Sequence, residues 1–244
     1  MRVLIVTPTY QEADNITVFL QQLVAQCPEA DVLVVDDGSP DGTADLVDAV
    51  TVQHPRVTVM RRTSKDGLGA AYRAGFAVGL EGPQQYDALV HIDADLSHPV
   101  EMVPQLVQAL ADGAEVAVAS RYVRGGEVVG WPWYRRLLSG WGNAYSRAVL
   151  GVPMRDVTAG FRAYSIDALR RIDPLATTAE GYVFHTEMSV RSSDQHLRIV
   201  ELPLRFVDRQ YGSSKMSGRI ITESMLTVTK MGLGRRWRRL RRSR

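Results

Sequence analysis

Cysteine is almost absent from this chain. Its one thiol, Cys27, has no partner within the sequence, so no internal disulfide staples the fold, which suits a reducing compartment. Long apolar runs are missing too: none approaches the roughly 20 residues that a membrane-spanning helix needs. No secretory leader is recognisable, because Met1 runs straight into Arg2-Val3-Leu4-Ile5-Val6, a strand-like segment. No long segment is free of apolar residues, and neither an internal repeat nor a clear linker interrupts the chain. The 244 residues, 45% of them hydrophobic, therefore suit one globular domain with a sizeable core, cytosolic or peripheral to a membrane.

Charge is nearly balanced overall, at net +2, but unevenly placed. Residues 235–244 hold seven arginines and no acid; taking those seven from the 29 Lys and Arg leaves 22 against 27 acids, a body of net −5. A basic end of this kind meets anionic lipid or nucleic acid favourably. No aromatic platform or recognised motif supports nucleic acid. From Thr222 onward, Met225, Leu226, Val228, Met231, Leu233, Trp237 and Leu240 recur at roughly helical spacing, an apolar stripe beside a basic face. The division is thus a domain over 1–220, with halves 1–120 and 121–220, and an amphipathic, Arg-rich tail over 221–244.

The first half alternates short apolar runs with longer amphipathic ones. Strands are expected over 2–7, 31–36, 57–61, 88–92 and 115–119, with helices over 13–25, 43–53, 69–80 and 100–111. Such alternation implies an α/β fold with a mostly parallel sheet covered by helices. In sheets of this kind ligands sit at the carboxyl ends of strands. Turn residues and acids fall there: Pro8 to Glu12, Asp36 to Asp41, Asp93 to His98. The second half breaks the rhythm, with a helix over 134–150, a late strand over 197–206 and a polar loop over 210–217.

Asp93-Ala94-Asp95 is the sharpest chemical signal. Two carboxylates two residues apart at a strand end share one side and repel, which a hard divalent cation relieves. Magnesium or manganese takes a few carboxylate oxygens and fills its remaining positions with water and phosphate. Taken alone, the pair equally reads as solvated acids. Asp36 and Asp37 form a second acidic strand end, suited to accepting hydrogen bonds from a nucleoside, while Asp41 and Thr43 read as helix caps.

Several segments in order then resemble the inverting family 2 glycosyltransferases, and among them the dolichol- or polyprenol-phosphate mannose synthases. They are Thr7-Pro8-Thr9-Tyr10-Gln11-Glu12, Val35-Asp36-Asp37-Gly38-Ser39-Pro40-Asp41-Gly42-Thr43, Gly67-Leu68-Gly69-Ala70-Ala71, Asp93-Ala94-Asp95-Leu96-Ser97-His98-Pro99 and Ser120-Arg121-Tyr122-Val123-Arg124-Gly125-Gly126. Further on come Trp131-Pro132-Trp133-Tyr134-Arg135-Arg136, Thr158-Ala159-Gly160-Phe161-Arg162, and Arg209 with Ser214-Lys215. The resemblance implies a GT-A fold, a Rossmann-like nucleotide half joined to an acceptor half. By position, Pro8, Tyr10, Glu12, Val35 and Asp37 would line the nucleoside pocket. Asp93, Ala94 and Asp95 would hold the donor diphosphate and metal, with Ser97 where several relatives have a ligating Gln. Arg121 and Arg135 would meet phosphates and sugar, and Arg209 and Lys215 would close a loop over the donor. A donor-contacting Lys of some relatives is replaced here by Val183.

The chemistry implied is mannose transfer from GDP-mannose to a polyprenyl phosphate at the cytoplasmic face of a membrane, with Asp95, Arg121 and Arg135 as catalytic residues. A phosphate monoester already carries roughly −1.5 to −2 charges at neutral pH, so it attacks an anomeric carbon without a general base. Arginine forks suit the task of holding that anion. Two alternatives stand beside this reading: a glucosyltransferase using UDP-glucose, and a non-catalytic nucleotide-sugar-binding module. Membrane contact would come from the C-terminal tail or from an integral membrane partner. His98 and Asp156 read as local structure, and Glu187 as unnecessary for a phosphate acceptor.

Overall fold

The computed structural model describes residues 1–64, 66–181, 183–208 and 218–242. The apolar run after Arg2 forms β1 (Val3–Thr9). It pairs in parallel with β2 (Asp31–Asp36) on one side and β4 (Ala88–His91) on the other, and β2 carries β3 (Val57–Arg61) outward. Between them run α1 (Ala13–Gln26), α2 (Thr43–Gln53) and α3 (Leu68–Glu81), with α4 (Met102–Ala111) leading to β5 (Val116–Ser120). These bounds agree with the sequence expectations to within one or two residues.

Beyond β5 lie β6 (Glu127–Val129), α5 (Trp133–Leu150), β7 (Arg162–Ser165), α6 (Ile166–Ile172), α7 (Val183–Asp194), β8 (Ile199–Pro203), β9 (Arg205–Val207) and α8 (Gly218–Arg242). The sheet order is β3-β2-β1-β4-β7-β5-β8. β7 is antiparallel to both neighbours, so the second half inserts a strand into the sheet of the first. The strand expected over 197–206 is two strands: Leu204 donates its N–H to the Ser120 carbonyl, and the chain leaves β8 to pair β9 with β6.

Both faces of the sheet are covered, as parallel strands require. Alternate residues of β1 point opposite ways: Val3 and Ile5 join Phe19, Leu20 and Leu106 beneath α1 and α4, while Leu4 and Val6 join Tyr72, Phe76 and Phe184 beneath α3 and α7. Each such fully buried side chain contributes roughly 1.5–3 kcal/mol. α3 lies close on the sheet because Gly75 has no side chain; a Cβ there would collide with Val6. That closeness delivers Tyr72 to the end of β4.

α8 is not a free tail. It packs on α5 and α7, and a Cβ at Gly232 would fall 2.5 Å from Val149 Cγ1 of α5. Arg235 is buried and donates to Asp194, Ser193 and the Leu150 carbonyl. At least one of the seven terminal arginines is therefore an internal clamp, not a cation offered to a surface.

Candidate active site

The chain leaves β4 after His91, and the acid pair sits in the bend that follows, not on extended strand. Leu96 takes a left-handed conformation, φ 59°, unusual for a residue with a side chain and typical of strained functional turns. That turn folds Ser97 back, and its N–H (3.1 Å) and hydroxyl both donate to Asp95 Oδ1. Asp93 Oδ1 accepts the Tyr72 hydroxyl at 3.0 Å. Asp93, Asp95 and Ser97 thus share one cavity wall through turn geometry, where strand alternation had been expected to align them. In this arrangement the Ser97 hydroxyl braces Asp95, and it also lies 3.1 Å from His98 Nδ1.

Among the described residues no group of three or more His, Cys, Asp or Glu could by itself hold a metal ion. Two carboxylates facing a cavity nonetheless fit a magnesium or manganese ion completed by water and phosphate oxygens. Gly160 opens the space required: a Cβ there would stand 3.3 Å from both Asp93 Oδ2 and His185 Nε2.

Arg121 follows β5 directly. Its N–H, Nε and Nη2 donate to Asp156 at 3.0, 2.8 and 2.9 Å, and Nη2 also reaches Thr158 Oγ1 at 2.7 Å. The side chains are 11% and 0% exposed, so this is a buried pair and not a surface one. Burial pushes the Asp156 carboxyl up, but the Arg121 guanidinium outweighs it and holds the group below the usual carboxylate range. Burial alone would lower Arg121; Asp156 reverses that and raises it. Arg135, on the first turn of α5, lies over the Trp131 ring at 4.1 Å and donates to Asp208 at 3.2 Å. Trp131 Nε1 donates to the same carboxylate at 3.1 Å. Asp156 and Asp208 lie 35 and 73 residues from their arginines, and no local sequence signal announces either pairing.

Acid pair and arginines line a single cavity of about 240 Å³. Its other wall is largely apolar, built from Leu138, Trp141 and Gly142 of α5 and from Met225 and Val228 of α8. Beneath it, His91 and His185 are wrapped by Tyr72, Phe76, Phe184 and Tyr164. Burial drives both imidazoles well below their ordinary value, so both are neutral. His98, between Phe161 and Phe206, is pushed down to about 4 by burial against the pull of Asp95.

The expected nucleoside residues form a second cluster, at the ends of β1 and β2. Gln11 N–H donates to Ser39 Oγ, Glu12 N–H to Thr43 Oγ1 and Ala13 N–H to Asp41, tying the two loops together. Glu12 accepts from Asn15 at 2.7 Å, and Pro8 stands opposite Val35 in the ladder. Tyr10 is half-buried. Three positions differ from expectation. Val35 is fully buried against Gly75 and presents no surface to a ligand. Asp36 is spent inside the turn, accepting from Thr9 Oγ1 and Ser39. Asp37 is buried and paired with Arg62, a residue sequence reasoning passed over; burial raises its carboxyl more than Arg62 lowers it. Ala94 is buried between the acids. Arg209 and Lys215 lie outside the described residues. Glu187 accepts from Thr178 N–H, Ala179 N–H and Arg191, which makes it an anchor for the loop before α7.

The model of the glycosyl transferase family 2 matches residues 4–173 of this chain. The chain belongs to that family. It is 48% identical over 241 residues to the undecaprenyl-phosphate mannosyltransferase of Micrococcus luteus, covering 99% of this chain and 98% of the relative. It is 46% identical over 241 residues to the polyprenol monophosphomannose synthase of Mycolicibacterium smegmatis, covering 98% and 90%. Among solved structures, the mannosyltransferase of Pyrobaculum calidifontis in complex with GDP-Man and Mn2+ matches with a TM-score of 0.61, at 21% identity over 93% of this chain and 62% of that one. The family 2 match spans the segments from Thr7 through Arg162.

Proposed function

We propose that this family 2 glycosyltransferase moves mannose from GDP-mannose to a polyprenyl monophosphate, with inversion, giving a β-linked polyprenyl phosphomannose. One observation carries it: an acid pair and two arginines open onto the same cavity, whose outer wall is apolar. A soluble sugar acceptor has no use for that wall, whereas a lipid phosphate presents an anion to the arginines and a hydrocarbon chain to α5 and α8. The relatives named for undecaprenyl-phosphate and polyprenol substrates support the same acceptor.

In this reading the donor nucleoside rests on the β1 and β2 loops, with Glu12 as a polar contact and Asp37, held by Arg62, reached only where that pair opens. Asp93 and Asp95 hold magnesium or manganese, which when bound offsets charge on the departing nucleoside diphosphate. Arg121, fixed by Asp156, supplies a stationary positive wall with its Nη1 still available. Arg135 is held by longer bonds to a part-exposed Asp208, so it is the fork that turns to the acceptor phosphate. The phosphate oxygen attacks C1 of mannose opposite the leaving diphosphate, and no proton need leave the nucleophile first. Arg209 and Lys215, outside the described residues, would contact the donor diphosphate in this reading.

No described helix is long and apolar enough to cross a membrane. Trp133, Tyr134, Leu137 and Trp141 of α5 and Leu226, Leu233 and Trp237 of α8 are all exposed. Together with the terminal arginines other than Arg235 they suit a peripheral seat on an anionic, cytoplasmic leaflet. The deciding assay offers GDP-mannose or UDP-glucose, with a polyprenyl phosphate and magnesium or manganese. Polyprenyl phosphomannose formed only with metal is expected; preferential glucose transfer, or none from either donor, overturns the proposal.

A further inference from the structure

Two glycines stand in the middle of α5 with no packing reason. Glycine inside a helix costs stability relative to alanine, and elsewhere in this fold a close approach accounts for it, as at Gly75 against Val6 or Gly232 against Val149. A Cβ at Gly140 or Gly142 would meet nothing within 4 Å. Only Gly142 lines the cavity. Arg135, Leu138, Ser139, Gly142 and Ser146 recur at three- and four-residue spacing, so they form one face of α5, and all five border that space. Gly142 is at the centre of this row, while Gly140 lies on the opposite side of the helix. Across the gap stand Ser224, Met225 and Val228 of α8.

We propose that Gly142 sets which acceptor lipids the enzyme admits: its missing side chain keeps open the passage between α5 and α8 through which the isoprenoid units nearest the phosphate run. This rests on the lipid-phosphate acceptor proposed above. Arg135 sits one helical turn before Leu138 and two before Gly142, so a chain whose phosphate is held by Arg135 can extend along this row. A trisubstituted isoprene unit is broad and planar, with a methyl branch at every fourth carbon. A bare helix backbone accommodates it, and a branched side chain at the centre of the row does not.

The test is a graded series, Gly142→Ala, Gly142→Val and Gly142→Leu, with Gly140→Leu as control. KM and kcat are measured on a long polyprenyl phosphate and on an unbranched alkyl phosphate, beside GDP-mannose affinity and thermal midpoint. Overpacking a filled site weakens binding by roughly ten- to a hundredfold. Gly142→Leu is therefore expected to raise KM for polyprenyl phosphate by about tenfold or more. The rise should be smaller for the alkyl phosphate and smaller again for Gly142→Ala. GDP-mannose affinity should be unchanged, and Gly140→Leu should match the wild type. Folded Gly142→Val and Gly142→Leu proteins with wild-type KM on polyprenyl phosphate overturn the inference while the acceptor assignment survives. An equal loss on both acceptors also overturns it. A wild-type protein inactive on polyprenyl phosphate removes the acceptor reading itself.

Discussion

Removing Asp156 tests how firmly Arg121 is held. Asp156→Ala deletes the acceptor of four hydrogen bonds, three from Arg121 and one from the Thr158 hydroxyl. It leaves the guanidinium in a site where its side chain is 11% exposed. Breaking a buried pair on one side costs about 3–5 kcal/mol, because the orphaned charge keeps its desolvation penalty. In a domain of this size that lowers the thermal midpoint by roughly 6–20 °C. Replacing both partners with apolar side chains, Arg121→Met with Asp156→Leu, removes the charge along with its counterion and should recover most of the loss. Urea unfolding of the single and double variants gives a coupling expected to exceed about 2 kcal/mol. The pH dependence has a definite sign. Asp156 is depressed in the folded protein, so its contribution is full above the unfolded value of about 3.9 and disappears as pH falls below it. If Arg121 holds the place proposed for it, activity should be lost in the double variant, which lacks it. An Asp156→Ala protein less than about 1 kcal/mol weaker than wild type would mean that water already screens the pair, and the picture of a fixed positive wall would fail.

Tyr72→Phe keeps the ring in its aromatic nest and deletes the donor to Asp93; Mn2+ affinity read by titration should weaken by about tenfold, with the thermal midpoint little changed. Unaltered affinity would assign Tyr72 to packing alone. Neither nitrogen of the buried His91 ring has a hydrogen-bond partner, and its imidazole is neutral when folded. Stability it supports is complete above the unfolded value of about 6.5 and declines by about 1.4 kcal/mol per pH unit below it. His91→Phe should make that acid limb shallower, with His185 and His98 still contributing; an unchanged slope between pH 6 and pH 4 would place the titration elsewhere. Replacing Trp133, Leu137 and Trp141 together by Ser should reduce sedimentation with vesicles rich in anionic lipid while leaving GDP-mannose binding intact. Undiminished sedimentation would exclude the α5 face as the lipid contact.

The first half of the fold was legible because each strand is a short apolar run ending in turn residues and acids. β7 escaped notice because it is four residues long and begins with arginine, a residue that is almost never fully buried. Arg162 is fully buried nonetheless, donating to the carbonyls of Ala159 and Val157. Asp93 and Asp95 were readable as strand-end acids and Arg121 and Arg135 through the family resemblance, and the fold brings all four to one cavity. Their partners were not. Asp156, Asp208, Arg62 and Tyr72 become meaningful only when distant segments meet, and nothing in their immediate neighbours distinguishes them from ordinary surface residues. The bracing of Asp95 by Ser97 also came from a backbone property, the left-handed Leu96, that composition does not encode.

The insertion of β7 between β4 and β5 has a consequence for biosynthesis. A growing polypeptide released only as far as β5 leaves the β4 edge open and β5 without either of its partners, β7 and β8. Unpaired edges of this kind template aggregation. The sheet is therefore complete only after Arg162–Ser165 has been made, and a chimaera that exchanges residues 121–220 for those of a relative would carry a seam through the middle of its sheet.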